Sequence, residues 1–301
     1  MQAVVIHEPG DADVLRYEEI DRPEPRDGEV LIKVHAASVN PADWKLRRGF
    51  INKPLPTVPG HDVSGTVEIS RADGFAEGDE VFGSSASGGY AEYSTASAGV
   101  IAKKPENVSH EQAAAIPVAG LTAWQALFDK GGLVSGQSAL VAGAAGGVGH
   151  FAVQFAKLRG ARVIGTCSTR NRDFVLGLGA AESVDYTQQD VGEAVSGADV
   201  ALDTVGGETT ASLLPAVREG GMLVTIAGTP PEEAARERGV RAELLVMRPK
   251  SEQLARIAEL VAGGDVRVEI AEAVPLADVK RAHELSETGH VRGKLVLTVA
   301  A

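Results

Sequence analysis

Cysteine, aromatic residues, long apolar runs and positive charge are all scarce in this 301-residue chain. The single cysteine, Cys167, excludes an intrachain disulfide, a four-cysteine zinc site and a catalytic zinc site that needs two cysteines. No apolar run reaches the roughly 18 residues of a membrane helix. A net charge of −12 disfavours nucleic acid and anionic membranes as partners, because both require a concentrated basic face. The first residues lack a signal-peptide pattern, so we expect a cytoplasmic location.

The first hundred residues are rich in short strand patterns. Val30, Ile32 and Val34 lie on one face of a predicted strand, and turns containing glycine and proline separate it from further short strands. Such closely spaced strands predict a compact, barrel-like β domain. A length of 301 residues, 44% of them apolar, suffices for a second domain with its own core.

Strand and helix patterns alternate between Ser138 and about Gly264, which predicts a parallel, doubly wound sheet. The predicted strands are residues 139–142, 162–167, 183–186, 200–205, 222–227 and 244–247. The tail after Val266 returns to strand patterns and is expected to complete the first domain. We therefore predict an α/β protein with a β-rich catalytic domain at 1–120, completed by 265–301, and a dinucleotide-binding domain at 121–264.

A glycine-rich turn, Gly143-x-x-Gly146-x-x-Gly149, joins the first strand of the second domain to a helical pattern. Strand, glycine turn and helix form the context that a dinucleotide phosphate requires, because glycines allow close backbone approach and the helix N-terminus offers free N–H groups. The spacing differs from the commoner G-x-G-x-x-G, and such turns also occur for purely structural reasons. The predicted cofactor contacts in this turn are Gly143, Ala144, Gly146, Gly147 and Val148.

The segment Thr166–Arg172, about 20 residues further on, indicates which dinucleotide is bound. An acidic residue at this strand end ordinarily binds a free ribose 2′-OH, but the segment contains hydroxyls and two arginines instead. Ser168 and Arg170 suit a 2′-phosphate through charge-assisted hydrogen bonds, which predicts NADPH rather than NADH. The alternative is that Arg170 and Arg172 are solvated residues at a helix start.

Over essentially its whole length the chain resembles the zinc-independent quinone oxidoreductase (zeta-crystallin-like) family of medium-chain dehydrogenases/reductases. Seven segments in family order carry the resemblance: residues 37–43, 59–65, 88–93, 120–123, 144–149, 203–207 and 293–297. It implies a GroES-like β-rich catalytic domain and a Rossmann domain. Zinc-dependent relatives bind the metal through two cysteines and a histidine; here Asn40 lies near the first ligand position and both cysteines are absent. His61 is interpreted as a structural residue, and no metal is expected.

The resemblance also implies further cofactor contacts, most of them after the carboxyl ends of sheet strands, where such sheets bind ligands. These residues are Thr122, Tyr186, Val205, Gly206, Ala227, Gly228, Leu244, Leu245, Val246 and Arg292. Tyr186 also fits a core tyrosine at a strand end, and residues 244–246 also fit a plain sheet strand.

Catalysis requires the protein to position and polarise the substrate, because hydride transfer is the chemistry of the nicotinamide. Without zinc, Asn40 is the predicted hydrogen-bond donor to the substrate oxygen, and Asp43 is a predicted proton relay or positioning group. Alternatively, Asn40 holds its loop and Asp43 pairs with a neighbour. Trp44, Phe50 and Tyr90 are predicted to line an apolar substrate pocket, although core packing accounts for them equally well.

These features predict an NADPH-dependent, zinc-free reductase that transfers hydride to a quinone or to the β-carbon of an α,β-unsaturated carbonyl compound. The alternative is a catalytically slow NADPH-binding protein of the crystallin type, with a structural or redox-sensing role. The resemblance implies a homodimer through the last strand of the parallel sheet, near Leu244–Met247.

Overall fold

The computed structural model describes residues 1–299, which form two compact units. Unit 1 contains residues 1–118, 249–264 and those from 268 onward, and unit 2 contains residues 119–248 and 265–267. Residues 249–264 thus group with unit 1, whereas the sequence boundaries place them in the dinucleotide-binding domain. Among the described residues, no helix has both the length and the apolar character needed to span a bilayer.

The strands follow one another along the chain in numerical order. They are β1 Gln2–Ile6, β2 Leu15–Glu19, β3 Glu29–Val39, β4 Asp62–Ser70, β5 Glu80–Ser84, β6 Tyr93–Ser97, β7 Ile101–Lys103, β8 Ser138–Ala142, β9 Arg162–Cys167, β10 Glu182–Asp185, β11 Ala198–Asp203, β12 Val217–Thr225, β13 Arg241–Leu244, β14 Ile270–Pro275 and β15 Lys294–Thr298.

The helices are mostly short. They are α1 Pro41–Arg47, α2 His110–Ala114, α3 Pro117–Trp124, α4 Gly149–Leu158, α5 Arg172–Gly177, α6 Val191–Ala194, α7 Glu208–Leu213, α8 Glu232–Glu237, α9 Ser251–Ala262 and α10 Val279–Glu287. A π-helical segment, Gln125–Lys130, continues α3.

Unit 1 is built on the long strand β3. This strand pairs antiparallel with β4, β6 and β15, within a sheet ordered β14-β15-β3-β4-β5-β7. The predicted alternation on β3 produces a buried face, because Val30, Ile32 and Val34 all join the core of the unit. β3 ends directly before Asn40, and β4 begins at Asp62, so their adjacent ends bring these two residues together.

Unit 2 is built on a parallel sheet ordered β10-β9-β8-β11-β12-β13. This is the 3-2-1-4-5-6 order of a doubly wound sheet, and it confirms the predicted fold class. Four predicted strands end early: β10 at Asp185, β11 at Asp203, β12 at Thr225 and β13 at Leu244. Side-chain hydrogen bonds accompany two of these ends. β11 stops at Asp203, whose side chain binds the following turn, and β13 stops at Leu244, after which the Gln125 side chain hydrogen-bonds the backbone of Arg248.

Candidate active site and cofactor site

The glycine turn in unit 2 is packed too closely for larger residues. Gly143 has a φ of +67°, in the left-handed region that favours glycine. A Cβ atom on Gly149 would lie 2.1 Å from the carbonyl oxygen of Gly143. Val148 precedes α4, and no side chain of the described residues caps this helix. Its first N–H groups therefore suit an anion such as a pyrophosphate.

The end of β9 lies beside the end of β10, where Cys167 pairs with Asp185. Ser168, Thr169 and Arg170 follow β9, and the Arg170 side chain is exposed. The Thr169 hydroxyl donates a hydrogen bond to Asp185, which also accepts from the backbone N–H and the hydroxyl of Thr187, at 2.9 and 2.7 Å. These bonds, the one from Thr169 foremost, lower the pKa of Asp185. An acidic residue is thus present at this edge, but it comes from the third predicted strand rather than the second.

Predicted cofactor contacts also follow the ends of β10 and β11. Tyr186 follows Asp185 and is 50% exposed, which is not the environment of a core tyrosine. The buried Asp203 accepts hydrogen bonds from the backbone N–H groups of Val205 and Gly206, at 2.9 and 3.0 Å. Asp203 therefore holds this turn in place and leaves the Val205 side chain exposed.

The remaining predicted cofactor contacts divide between the units. In unit 2, Thr122 is buried on α3, Ala227 and Gly228 follow β12, and residues 244–246 form the end of β13 and the segment after it, with Val246 73% exposed. Arg292 lies in unit 1, where its Nε atom is 3.4 Å from Oε1 of Glu269.

Unit 1 contains a group of hydrogen-bonded polar side chains, called here the polar cluster: Ser38, Asn40, Asp43, His61, Asp62, Tyr90 and Lys294. Asp62 is fully buried, and its Oδ2 accepts hydrogen bonds from Ser38 Oγ and Asn40 Nδ2, both at 2.8 Å. Lys294 Nζ donates to Asn40 Oδ1 at 2.6 Å. Asn40 is only 2% exposed, and its amide connects the Asp62 carboxylate to the Lys294 ammonium.

Asp43 is the second buried carboxylate of the polar cluster. Its Oδ2 accepts hydrogen bonds from the backbone N–H of Asn40 at 2.8 Å and from the Tyr90 hydroxyl at 3.0 Å. Its Oδ1 is 2.8 Å from Nδ1 of His61. The bond to Asn40 is local, because Asp43 sits in the first turn of α1 and bonds back to the residue before that helix. Asp43 thus pairs with its neighbours, as the sequence alternative proposed.

The buried environment shifts the pKa values of the polar cluster. Burial acts most strongly on Asp43 and would raise its pKa. The hydrogen bond and charge of His61, the backbone N–H of Asn40 and the charge of His283 together outweigh burial, so the pKa lies below its usual value. The bond to Asp43 raises the pKa of His61 above 6.5, against the opposing effect of burial. Burial raises the pKa of Asp62 and lowers the pKa of Lys294. The polar cluster therefore combines the carboxyl groups of Asp43 and Asp62 with the Lys294 amine and with the His61 imidazole, whose protonated form is favoured.

The structure brings Asn40, Asp43 and Tyr90 together. Tyr90 is fully buried with its hydroxyl bound to Asp43, whereas Phe50 is 74% exposed in the segment after α1. From the sequence, His61 is interpreted as a structural residue and is given no role in the site. The available signal for such a role is the Gly60-His61-Asp62 segment at the start of β4.

A β-rich unit of this kind joined to a parallel nucleotide-binding sheet defines a two-domain nicotinamide-dependent dehydrogenase. Family models match residues 26–106 ("Alcohol dehydrogenase GroES-like domain") and residues 178–297 ("Zinc-binding dehydrogenase"). The chain is similar to the quinone oxidoreductase of Homo sapiens, with 35% identity covering 99% of this chain and 97% of the relative. It is also 35% identical to the "NADPH-dependent alkenal/one oxidoreductase, chloroplastic" of Arabidopsis thaliana, over 99% of this chain and 79% of the relative.

Comparison with solved structures agrees with these sequence relatives. The structure of the quinone oxidoreductase from Coxiella burnetii superimposes with a TM-score of 0.94 and 37% identity, covering 100% of this chain and 99% of that one. The chain belongs to the quinone oxidoreductase family of medium-chain dehydrogenases/reductases and is an oxidoreductase, as the sequence resemblance predicts.

The residues of unit 1 do not fit the zinc named in one of these family descriptions. Asp43 and His61 are bonded to each other, and the single cysteine lies at the end of β9 in unit 2. Within residues 1–299, no group of three or more His, Cys, Asp or Glu side chains is placed to hold a metal ion.

Proposed function

We propose that this protein is an NADPH-dependent, zinc-independent reductase that transfers hydride to a quinone or to the β-carbon of an α,β-unsaturated carbonyl compound. The observation that carries the proposal is the closely packed glycine turn before an uncapped helix, with Arg170 exposed at the neighbouring strand end. The names of the human and Arabidopsis relatives support both acceptor classes, and the Arabidopsis name supports NADPH.

The proposed cofactor site lies in unit 2. The close-packed turn at residues 143–148 admits the pyrophosphate next to its backbone, with the N–H groups of Gly147 and Val148 before α4 as the proposed donors. Ser168 and Arg170 bind the 2′-phosphate. Tyr186 contacts the adenosine ribose, whereas Thr122 and residues 244–246 contact the nicotinamide half of the cofactor. Val205, Gly206, Ala227 and Gly228 are proposed contacts at the ends of β11 and β12, and Arg292 stays a predicted cofactor contact. When bound, the reduced nicotinamide supplies the hydride.

In the proposed substrate site, Asn40 and Asp43 act by hydrogen-bonding other side chains of the polar cluster and so fixing their positions. The Asn40 amide nitrogen donates to Asp62 and Asp43 binds His61, so both residues position the polar cluster. Trp44 and Phe50 provide apolar surface for a small conjugated substrate, and Tyr90 supports the cluster from the interior.

A steady-state screen of enones, enals and quinones with NADPH tests the proposal. We expect turnover with at least one class; a saturated product carrying deuterium at the β-carbon from labelled NADPH identifies an enone reductase. Semiquinone formation identifies one-electron quinone reduction instead. Tight NADPH binding without turnover on any acceptor would favour the alternative, a catalytically slow crystallin-type protein.

Replacing Arg170 with alanine is expected to raise the KM for NADPH roughly 10- to 150-fold, the equivalent of losing about 1.5–3 kcal/mol of charge-assisted hydrogen bonding. The KM for NADH should change little, because NADH has no 2′-phosphate. Arg162→Ala is the matched control, since Arg162 lies at the other end of β9 and pairs with Glu182. An equal rise in the KM for both cofactors would show that Arg170 does not recognise the 2′-phosphate.

We also propose a homodimer formed through β13, the edge strand of the parallel sheet, where Leu244 and Val246 expose apolar side chains. Sedimentation velocity of the intact protein measures this oligomeric state directly.

The cytoplasmic location stays a prediction, because the Arabidopsis relative is named as a chloroplast protein.

A further inference from the structure

The polar cluster reaches the surface through one of its members. Ser38, Asn40, Asp43, Asp62, Tyr90 and Lys294 are all buried, whereas the His61 side chain is 50% exposed. Among the members of the polar cluster, the imidazole of His61 is therefore the most accessible to a bound molecule.

The His61 ring is oriented from one side and open on the other. Nδ1 is 2.8 Å from the buried Asp43 carboxylate, which Tyr90 and the backbone of Asn40 hold in turn. Nε2 has no hydrogen-bond partner among residues 1–299. A carboxylate that orients one ring nitrogen leaves the other free to hold and deliver a proton.

The segment after α1 lies near enough to His61 for one of its charges to act on the imidazole. The segment after α1 exposes the apolar side chains of Phe50, Ile51 and Leu55, and it also carries Lys53, whose charge acts on His61. Of the charged groups that face the imidazole, Asp43 and Asp62 favour its protonated form and Lys53 opposes it.

We propose that His61 is the proton donor of the reduction, with Asp43 and Tyr90 as its positioning residues; this inference rests on the proposed function. An enone substrate accepts hydride at its β-carbon, and the electron pair of its C=C bond moves toward the carbonyl group. His61 then transfers the proton on Nε2 to the α-carbon, its N–H bond breaks, and the neutral imidazole regains a proton from water. With a quinone, the same proton goes to the reduced oxygen.

The first test is independent of turnover. In the cofactor-free protein, NMR titration of the histidine ring signals should place the midpoint of His61, assigned by its loss in His61→Gln, above 6.5. Asp43→Asn should lower that midpoint, because the hydrogen bond and negative charge at Nδ1 are lost. A midpoint at or below 6.5 that Asp43→Asn leaves unchanged would overturn the proposed pairing.

The second test measures proton delivery. His61→Gln should lower kcat about a hundredfold or more, with the Kd for NADPH unchanged. Wild-type kcat should fall as the pH rises through the His61 pKa, because the donor form is lost, and this dependence should be absent in His61→Gln. Imidazole should partly restore turnover to His61→Ala. The matched control is His7→Gln, an exposed histidine paired with Glu18, which should keep wild-type kcat.

The third test follows the product. When an α-substituted enone is reduced in D₂O, the wild type should deliver deuterium to one face of the α-carbon, and His61→Gln should lose that selectivity. If the wild type reduces acceptors and His61→Gln keeps the wild-type kcat, pH profile and facial selectivity, the proton-donor role of His61 is refuted and the proposed function is not. A wild type inactive with every acceptor would refute the proposed function, and the proton-donor role with it.

Discussion

Replacing Gly149 with alanine should lower NADPH affinity by about a hundredfold and destabilise the protein by about 3 kcal/mol. The added Cβ would lie 2.1 Å from the carbonyl oxygen of Gly143 and 2.8 Å from Cα of Ala144. Both are backbone atoms, and the same carbonyl accepts a hydrogen bond from the N–H of Gly146 at 2.9 Å, so the turn must open to admit a methyl group. The N–H groups of the turn and of the first turn of α4 would then be displaced from the proposed pyrophosphate position.

Gly177→Ala is the control for this substitution. Gly177 ends α5 in the same unit, and a Cβ there would meet no atom within 4 Å. It should therefore leave NADPH binding intact and stabilise the protein by about 0.4–1 kcal/mol, through the reduced entropy of the unfolded chain. Fluorescence titration with NADPH and urea unfolding measure the two effects. Wild-type affinity in Gly149→Ala would show that the turn does not bind the cofactor.

Replacing Lys294 with methionine should lower the free energy of unfolding by about 3–5 kcal/mol at neutral pH, because it removes one partner of a buried charge network. Asp62 would then keep its hydrogen bonds from Ser38 and Asn40 but lose the nearby ammonium. The exposed pair of Lys280 with Asp13 provides the control, and Lys280→Met should cost less than about 1 kcal/mol.

The free energy of unfolding lost in Lys294→Met should depend on pH in a defined direction. Burial already raises the pKa of Asp62, and loss of the Lys294 charge raises it further. A carboxyl whose pKa is higher in the folded than in the unfolded protein binds more protons when folded, so stability decreases as the pH rises between the two values. The deficit of Lys294→Met relative to wild type should thus be smallest near pH 4, about the unfolded pKa, and should grow toward neutrality. Urea unfolding at several pH values measures it.

A double variant tests whether unpaired charge is the cause. Asp62→Asn combined with Lys294→Met removes both charges and should recover much of the lost stability. If the double variant is as unstable as the sum of the two single variants, lost packing rather than an unpaired carboxylate accounts for the effect.

The parts of the molecule that sequence predicted best are those whose signals are local. The alternation of apolar runs with helical patterns predicted the parallel sheet of unit 2, and the glycine turn lies where β8 meets α4. The ends of strands were less predictable, because they depend on side chains such as Asp203 that bind the next few backbone groups.

The polar cluster could not be assembled from the sequence because its bonds join distant residues. His61 lies 18 residues from Asp43, Tyr90 lies 47 from it, and Lys294 lies 254 from Asn40. A lone histidine has no periodic pattern, so His61 was interpreted as structural. Its exposure, which sets it apart from the other members, is visible only once the chain is folded.

The position of Lys294 on β15 also has a consequence for biosynthesis. β15 pairs with β3, yet all of unit 2 is translated between these two strands. A nascent chain can therefore complete the parallel sheet on the ribosome while unit 1 still lacks β14, β15 and the cation that balances Asp62. All strands of unit 2 are translated before β15, and the polar cluster of unit 1 is complete only after β15, which follows unit 2 in the chain, has paired with β3.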